Sequence, residues 1–381
     1  MSTYFATCPQ SLVPILEKEL KELGAKEVRP QYMAVRFEAD DSTSYRIHLQ
    51  CSTASQILKL LRDCPASKPR ILFDKARRIS WETYLSSKTT YRIDGIAGDR
   101  GEGCMTSNEI SKEVRHALTE HFEHIGEAPP RVDIKNPDIV IHAMVREKRA
   151  KISAATSGRA LHKRGYRTSG HPAPLQETVA AALLRYLGYT GQEVLLDPMS
   201  GSGTIAIEAA MIALGKSVQI HRSQGSFGLE HMRDFDRNLW RQTADDLRKN
   251  AKQEVSAAIY AYDIEAKYTQ MAKENALRAR VERNINFATQ SFLDSKKPAE
   301  TGILICNLPY GKRIGDELET FYKQVGDHLK TEYTGWKAGL LIPKGAPSIG
   351  LKKSKVFKLD NGGIETEFQI FDLYSGSRKN H

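Results

Sequence analysis

Residues 194–210 read V-L-L-D-P-M-S-G-S-G-T-I-A-I-E-A-A. Residues 194–197 form an apolar run closed by a carboxylate, the pattern of a short buried strand. Gly201 and Gly203 then permit a tight turn and let a ligand approach the backbone closely. Residues 204–210 are helix formers, so the stretch predicts strand, glycine turn, helix. In an open α/β sheet such a turn lies in the crevice outside the carboxyl ends of the strands, where nucleotides bind. It is not a phosphate loop, because no Lys follows the second glycine. It matches the dinucleotide fingerprint only with Ala206 in the third glycine position. A glycine turn alone is weak evidence, since a plain structural turn has the same pattern.

A second stretch narrows the choice. Residues 303–311 read I-L-I-C-N-L-P-Y-G. Here an apolar strand again ends on a polar side chain, Asn307, followed by Pro309 and Tyr310. An amide beside an aromatic ring, at a strand end next to a cofactor crevice, can grip and stack a planar amine. D-P-M-S-G-S-G-T followed by N-L-P-Y-G resembles the paired signature motifs of S-adenosylmethionine-dependent amino-methyltransferases.

The rest of the chain supplies the frame. Its 381 residues suffice for two or three domains with cores of their own. Lysine and arginine outnumber the acids by 56 to 46, a formal charge of +10 that suits a polyanionic partner. The cysteines (Cys8, Cys51, Cys64, Cys104, Cys306) are scattered and form no C-x-x-C, which points to reduced thiols and to neither a disulfide framework nor a zinc site. No apolar run reaches the roughly 20 residues of a membrane span, and the first residues do not resemble a signal peptide. A soluble cytoplasmic protein is expected.

The first sixty residues predict strand 4–7, a helix whose inner face carries Leu12, Ile15, Leu16, Glu19, Leu20 and Leu23, strand 32–38 and helix 42–49. Residues 55–61 suit strand or helix alike. A ferredoxin-like β-α-β-β-α-β arrangement fits. Further on, strand 91–94, helix 105–122 and paired strands 139–145 and 151–156 follow. Between Arg146 and Arg167 stand eight basic residues and one acid, Glu147, with His162 and Tyr166 among them. The segment L-H-K-R-G-Y-R, residues 161–167, suits phosphate contacts with stacking on an unpaired base, or else a solvated linker. The run G-H-P-A-P at 170–174 breaks the chain and opens a new domain. Beyond the glycine turn, 216–256 reads as a helical insertion packed over the sheet, its aromatics core residues. Strand 257–262 ends on Asp263, an acid placed to accept both hydroxyls of a ribose. Strands 285–289, 303–306 and 338–342 continue the sheet, and Asn361-Gly362-Gly363 marks a closing antiparallel hairpin.

Taken in order, these motifs resemble one family, the THUMP-containing RNA guanine-N2 methyltransferases of RlmL type, without the second methyltransferase domain fused to some members. The resemblance implies a ferredoxin-like domain (1–62), a THUMP RNA-binding domain (63–157) and a class I, Rossmann-like α/β methyltransferase domain (158–381). It implies S-adenosylmethionine held by Asp197, Pro198, Ser200, Gly201, Gly203, Thr204, Asp263, Gln290 and Asn307. It gives the chemistry to Asn307, Leu308, Pro309 and Tyr310, and RNA contact to Arg159, His162, Lys163, Arg164, Tyr166 and Arg167. No metal is implied. Two positions depart from the family pattern. Leu308 stands for the first proline of Asn-Pro-Pro-Tyr, and Gln290 stands where an Asp often meets the adenine amine. The expected product is N2-methylguanosine in 23S ribosomal RNA. Transfer RNA, adenine N6 and a non-catalytic RNA-binding role are the alternatives.

Overall fold

The computed structural model describes residues 1–98, 104–167, 175–219, 221–309, 316–361 and 363–374. The chain divides into two units, one of Met1–Cys8, Glu17–Lys163 and Arg222–Asp245, the other of Pro9–Leu16, Arg164–His221 and Asp246–His381.

The first unit opens with β1 (Ser2–Thr7), α1 (Val13–Glu22, in this unit from Glu17 on), β2 (Lys26–Gln31), β3 (Ala34–Ala39), α2 (Asp41–Gln50) and β4 (Gln56–Pro65). The ambiguous stretch at 55–61 resolves as strand, because β4 is held antiparallel by β1 on one side and β8 on the other. Strand β2 escaped the sequence pattern because Pro30 interrupts it. It lies at the sheet edge, where the missing N–H costs no ladder bond. Then come α3 (Pro69–Ala76), β5 (Thr90–Ala97), α4 (Ser107–His124), β6 (Arg131–Val132), β7 (Ile139–Arg146) and β8 (Arg149–Ala154). A capping box starts α4: Glu109 N–H donates to Thr106 Oγ1, and Thr106 N–H donates to the Glu109 carboxylate. The strand order is β2-β3-β1-β4-β8-β7-β5-β6, so the ferredoxin-like and THUMP stretches share one sheet among the described residues. Strand β4 runs through the boundary expected at residues 62 and 63.

The insertion corrects the sequence reading. Residues 222–245 group with this first unit and not with the second sheet over which they were expected to pack. Phe235 and Trp240 meet Tyr45 edge-on at 5.6 and 5.3 Å, and Phe227 meets the buried His48 ring at 6.2 Å. Arg222 stacks over Phe227 at 4.3 Å and donates to the carbonyls of Ser157, Arg159 and Ser226. Asp236 N–H donates to the Tyr45 hydroxyl, and Lys59 pairs with Asp234 at 2.5 Å. Phe227 is a core residue, as expected, with Phe235 and Trp240 half-buried, but the core belongs to the first unit. Periodicity reports that a face must be buried and is silent on which distant partner buries it.

The second unit contains α5 (Glu177–Leu187), β9 (Leu195–Asp197), α6 (Thr204–Leu214), the last turn of α7 (Arg237–Asn250), β10 (Ile259–Asp263), α8 (Ala266–Arg278) and β11 (Asn286–Thr289). It continues with β12 (Ile303–Asn307), α9 (Asp316–Glu332), β13 (Lys337–Pro343), β14 (Lys355–Asn361) and β15 (Ile364–Asp372). The order β11-β10-β9-β12-β13-β15-β14 has parallel pairing from β11 to β13 and antiparallel pairing at β15 and β14. This is the expected parallel sheet closed by a hairpin. On one face Leu304, Cys306, Leu340 and Ile342 pack with Tyr322, Val325 and Leu329 of α9. Strands covered on both faces read as continuous apolar runs, which is why their polar last residues stood out in the sequence.

Candidate active site at the strand ends

The chain steps from β9 to β10 on one side of the sheet and later places β12 on the other side of β9. That reversal opens the crevice at the carboxyl ends of the strands. The last residues there are Asp197 of β9, Asp263 of β10 and Asn307 of β12.

The glycine turn is held from three sides. Ser200 N–H donates to the Tyr262 carbonyl at 2.8 Å, Gly201 N–H to Asp263 Oδ2 at 2.9 Å, and Asn275 Nδ2 to the Ser202 carbonyl at 2.9 Å. Asp263, expected to hold a ribose, here accepts from the chain's own backbone. Its Oδ1 also accepts from Glu265 N–H, so it ties the turn to β10. Gly201 and Gly203 have φ of +51° and +80°. A Cβ on Gly203 would lie 2.8 Å from the Cβ of Ala272 on α8. Gly203→Ala should therefore cost about 1–3 kcal/mol through overpacking and strain. Chemical denaturation checks this, and wild-type stability in the variant would show that the turn tolerates the methyl group.

Asp197 is buried, and its carboxylate accepts from Met199 N–H at 3.3 Å. Burial holds this carboxyl well above the usual carboxylate range, Asp263 adds repulsion, and the Met199 bond pulls the other way. Pro198, Ser200 and Thr204 are buried beside it, and Thr204 Oγ1 lies 3.2 Å from Ser202 Oγ. Gln290 N–H donates to the Asp263 carbonyl, and its side-chain Nε2 donates to the Asp294 carbonyl. Those contacts leave the Gln290 amide oxygen as an acceptor at the end of β11. Ile264 was missed in the sequence. It is 70 % exposed directly after Asp263, an apolar side chain at the crevice edge that a D-I-E reading could have flagged.

Asn307 ends β12 opposite Leu341, and its Oδ1 is buried without a hydrogen-bond partner among the described residues. Leu308 is fully buried, and its N–H donates to the Leu341 carbonyl at 3.0 Å. A proline in that position could not make this bond. Pro309 is exposed, and Tyr310 lies outside the described residues, as do the 170–174 breaker and Gly362 of the closing hairpin.

The basic segment separates into two kinds of residue. Arg159 and Lys163 are exposed and His162 is half-buried. Arg164 and Tyr166 are not on the surface at all. Both are fully buried against Glu208 of α6, with Arg164 Nε and Nη2 each 3.4 Å from its carboxylate and the Tyr166 hydroxyl donating at 3.1 Å. Arg167 donates to the Leu175 carbonyl and lies 3.7 Å from Glu177. Arg164 and Tyr166, expected to contact RNA, therefore offer no exposed surface for such a contact. A guanidinium and a phenol satisfied by a buried carboxylate have no reason to leave it.

Comparison with known proteins accounts for the whole arrangement. Residues 3–58 match the RlmL ferredoxin-like domain, 70–155 the THUMP domain, and 164–366 the RMKL-like methyltransferase domain. A Synechocystis protein described as a candidate RNA methyltransferase is 33 % identical over 375 residues, 97 % of each chain. The chain belongs to the RlmL-like family of THUMP-containing RNA methyltransferases. Ribosomal RNA large subunit methyltransferase K/L of Photobacterium profundum is 32 % identical across all of this chain, which spans 54 % of that relative. A solved structure described as a possible methylase from Clostridium difficile superposes with a TM-score of 0.87 at 26 % identity, covering 99 % of this chain and 100 % of that one.

S-adenosylmethionine is the cofactor of this RlmL-like methyltransferase, and the crevice fits it. The cofactor carries a sulfonium and an ammonium, and the buried Asp197 carboxyl, which has one backbone donor in hydrogen-bond contact, suits a cation brought to it. Ser200 Oγ and Asn307 Oδ1 are both buried without hydrogen-bond partners among the described residues, as groups awaiting a ligand would be. Among those residues no helix is long and apolar enough to cross a membrane, and no cluster of His, Cys, Asp or Glu could hold a metal ion.

Proposed function

We propose that this RlmL-like enzyme makes N2-methylguanosine in 23S ribosomal RNA. The observation that carries the reading is Asn307: an amide oxygen without a partner among the described residues, fixed at the end of β12, one strand from the glycine turn. S-adenosylmethionine supplies a methyl group activated by a sulfonium. The chain's own residues then have one task, because the lone pair of an aromatic amine is delocalised into the ring. Asn307 Oδ1 accepts one amine hydrogen and the Leu308 carbonyl accepts the other, turning the lone pair out of conjugation. The bond from Leu308 N–H to Leu341 keeps that stretch of backbone in place. Tyr310 stacks on the base after it is flipped from its helix. No general base is required, since the amine becomes acidic once it is methylated. The acceleration comes from positioning, for which roughly 7–11 kcal/mol is available in favourable cases.

In this reading Asp263 and Gln290 hold the ribose and adenine of the cofactor, with Ile264 against the adenine face. The first unit grips the RNA, helped by the exposed Arg159 and Lys163. The limits expected at 62 and 157 do not bound separable fragments. A chain beginning at Gly158 would keep Phe227 and Trp240 without the Tyr45 and His48 surface that buries them.

The test is inosine, which keeps the guanine ring but lacks the N2 amine, placed at the modified position of a ligated RNA substrate. The RNA should still bind and receive no methyl group at that nucleotide. Methyl transfer to inosine would end the N2 assignment, and N6-methyladenosine as product would replace it. Modification confined to transfer RNA would move the substrate and leave the chemistry standing.

A further inference from the structure

We propose that Glu208, gripped by Arg164 and Tyr166, is a positioning residue for the cofactor: it sets the rotation of α6 and thereby the aim of the glycine turn. The proposal rests on the reading of that turn as the S-adenosylmethionine site.

The reason lies in α6 itself. Its sequence, T-I-A-I-E-A-A-M-I-A-L, is apolar on every side, and all its residues except Ile212 are buried. A helix with one apolar stripe has a single preferred rotation in a core, but a helix apolar all round does not. Small side chains such as Ala206, Ala209 and Ala210 make alternative rotations cheaper still. Glu208 is the one charged residue on this helix, and its carboxylate finds three donor atoms from the strap at the start of the unit. Turning α6 would separate that carboxylate from its donors inside a medium of low polarity, where such a loss is expensive.

The strap is built to hold that position. Arg164 and Tyr166 point inward, while Lys163 and Gly165 on either side are exposed. Gly165 has φ +98°, a backbone conformation that side chains disfavour. Arg167 and Glu177 extend the same network to the first turn of α5, which packs along α6. Glu208 lies one helical turn beyond Thr204, and Thr204 follows Gly203 directly. A change in helix rotation therefore moves the main chain of Ser202, Gly203 and Thr204. The Ser202 carbonyl is held by Asn275, which limits how far this stretch can absorb the change.

A purely structural network would show in stability and leave the site alone. Buried ion pairs give little net stability over apolar groups of similar size, and their replacement by such groups is often neutral. That contrast supplies the experiment. Tyr166→Phe removes one hydrogen bond and keeps the ring. The double variant Arg164→Met with Glu208→Leu replaces the ion pair by apolar bulk. Calorimetric titration with S-adenosylmethionine and thermal unfolding are run on both full-length variants and on the wild type.

The expected result is a Kd raised roughly threefold to tenfold in Tyr166→Phe and by more in the double variant. Maximal turnover at saturating cofactor stays within about twofold, so the loss is in KM and not in kcat. A lowered melting temperature with unchanged Kd in Tyr166→Phe would overturn the proposal, and that variant decides alone if the double variant does not fold. Wild-type protein that fails to bind the cofactor would overturn the reading of the site instead. The positioning proposal is judged by the ratio of variant to wild type.

Discussion

Glu19→Ala should lower the unfolding free energy of the first unit by roughly 2–6 kcal/mol. Glu19 lies on the inner face of α1, only 1 % exposed, among leucines. Its carboxylate accepts from the backbone N–H of Ser52 at 2.8 Å and of Thr53 at 3.0 Å, and from both hydroxyls. Alanine removes the acceptor and leaves those donors buried. The hydroxyls can rotate towards other acceptors, but the two N–H groups at the end of α2 cannot. Each buried donor left unsatisfied costs about 1–3 kcal/mol, which sets the range. Glu19→Gln should lose less, because its amide oxygen can still serve one side while its NH2 faces donors on the other. Denaturant unfolding followed by tryptophan fluorescence checks both, since Trp81 and Trp240 lie in this unit. Equal stability of wild type and Glu19→Ala would mean that water reaches Ser52 and Thr53 in place of the carboxylate.

Glu19 also shows where the sequence was legible and where it was not. The spacing of Leu12, Leu16 and Leu20 makes the helix legible and puts Glu19 on its inner face. Glu208 is the same case, a lone carboxylate in an apolar helix. Burial of an acid demands donors, so both positions announced that partners exist. Neither said that the partners were Ser52 and Thr53 in one case and Arg164 and Tyr166 in the other. The reverse error was made from the strap, where a basic and aromatic run reads alike whether it meets phosphate or a buried carboxylate. The strand ends escaped this difficulty. Asp197, Asp263 and Asn307 each close an apolar run in a parallel sheet, and sheet order alone brings them to one edge. Local chemistry was legible wherever the backbone pattern also fixed the address. It was not legible for 222–245, whose aromatics required a core without naming it.

Asn307→Ala should reduce kcat by roughly 10²–10³-fold, about 2.7–4 kcal/mol, the range seen when one preorganised polar contact to a transition state is removed. The geometry makes the loss a selective one. Asn307 is held by the pairing of β12 with β13, and Leu308 N–H continues that pairing one residue further, so the backbone survives the truncation. The side-chain oxygen has no hydrogen-bond partner among the described residues, so its removal orphans no other group there. Stability should therefore change little, and cofactor affinity, which the proposed site assigns chiefly to the glycine turn and Asp263, should fall much less than kcat. In the proposed mechanism, what is lost is the acceptor that draws one amine hydrogen out of the plane of the base. That contact strengthens as the nitrogen becomes cationic, so it belongs to the transition state more than to the bound RNA, and KM for RNA should stay within a few fold. Asn307→Asp is the informative companion. A carboxylate accepts the same hydrogen and keeps the shape, so activity should return in part if acceptance is the role. Steady-state kinetics with a fixed RNA, together with calorimetry for S-adenosylmethionine, separates the terms. A variant that keeps kcat but loses cofactor binding would transfer Asn307 from the acceptor amine to the cofactor and leave the Leu308 carbonyl as the remaining contact to the base.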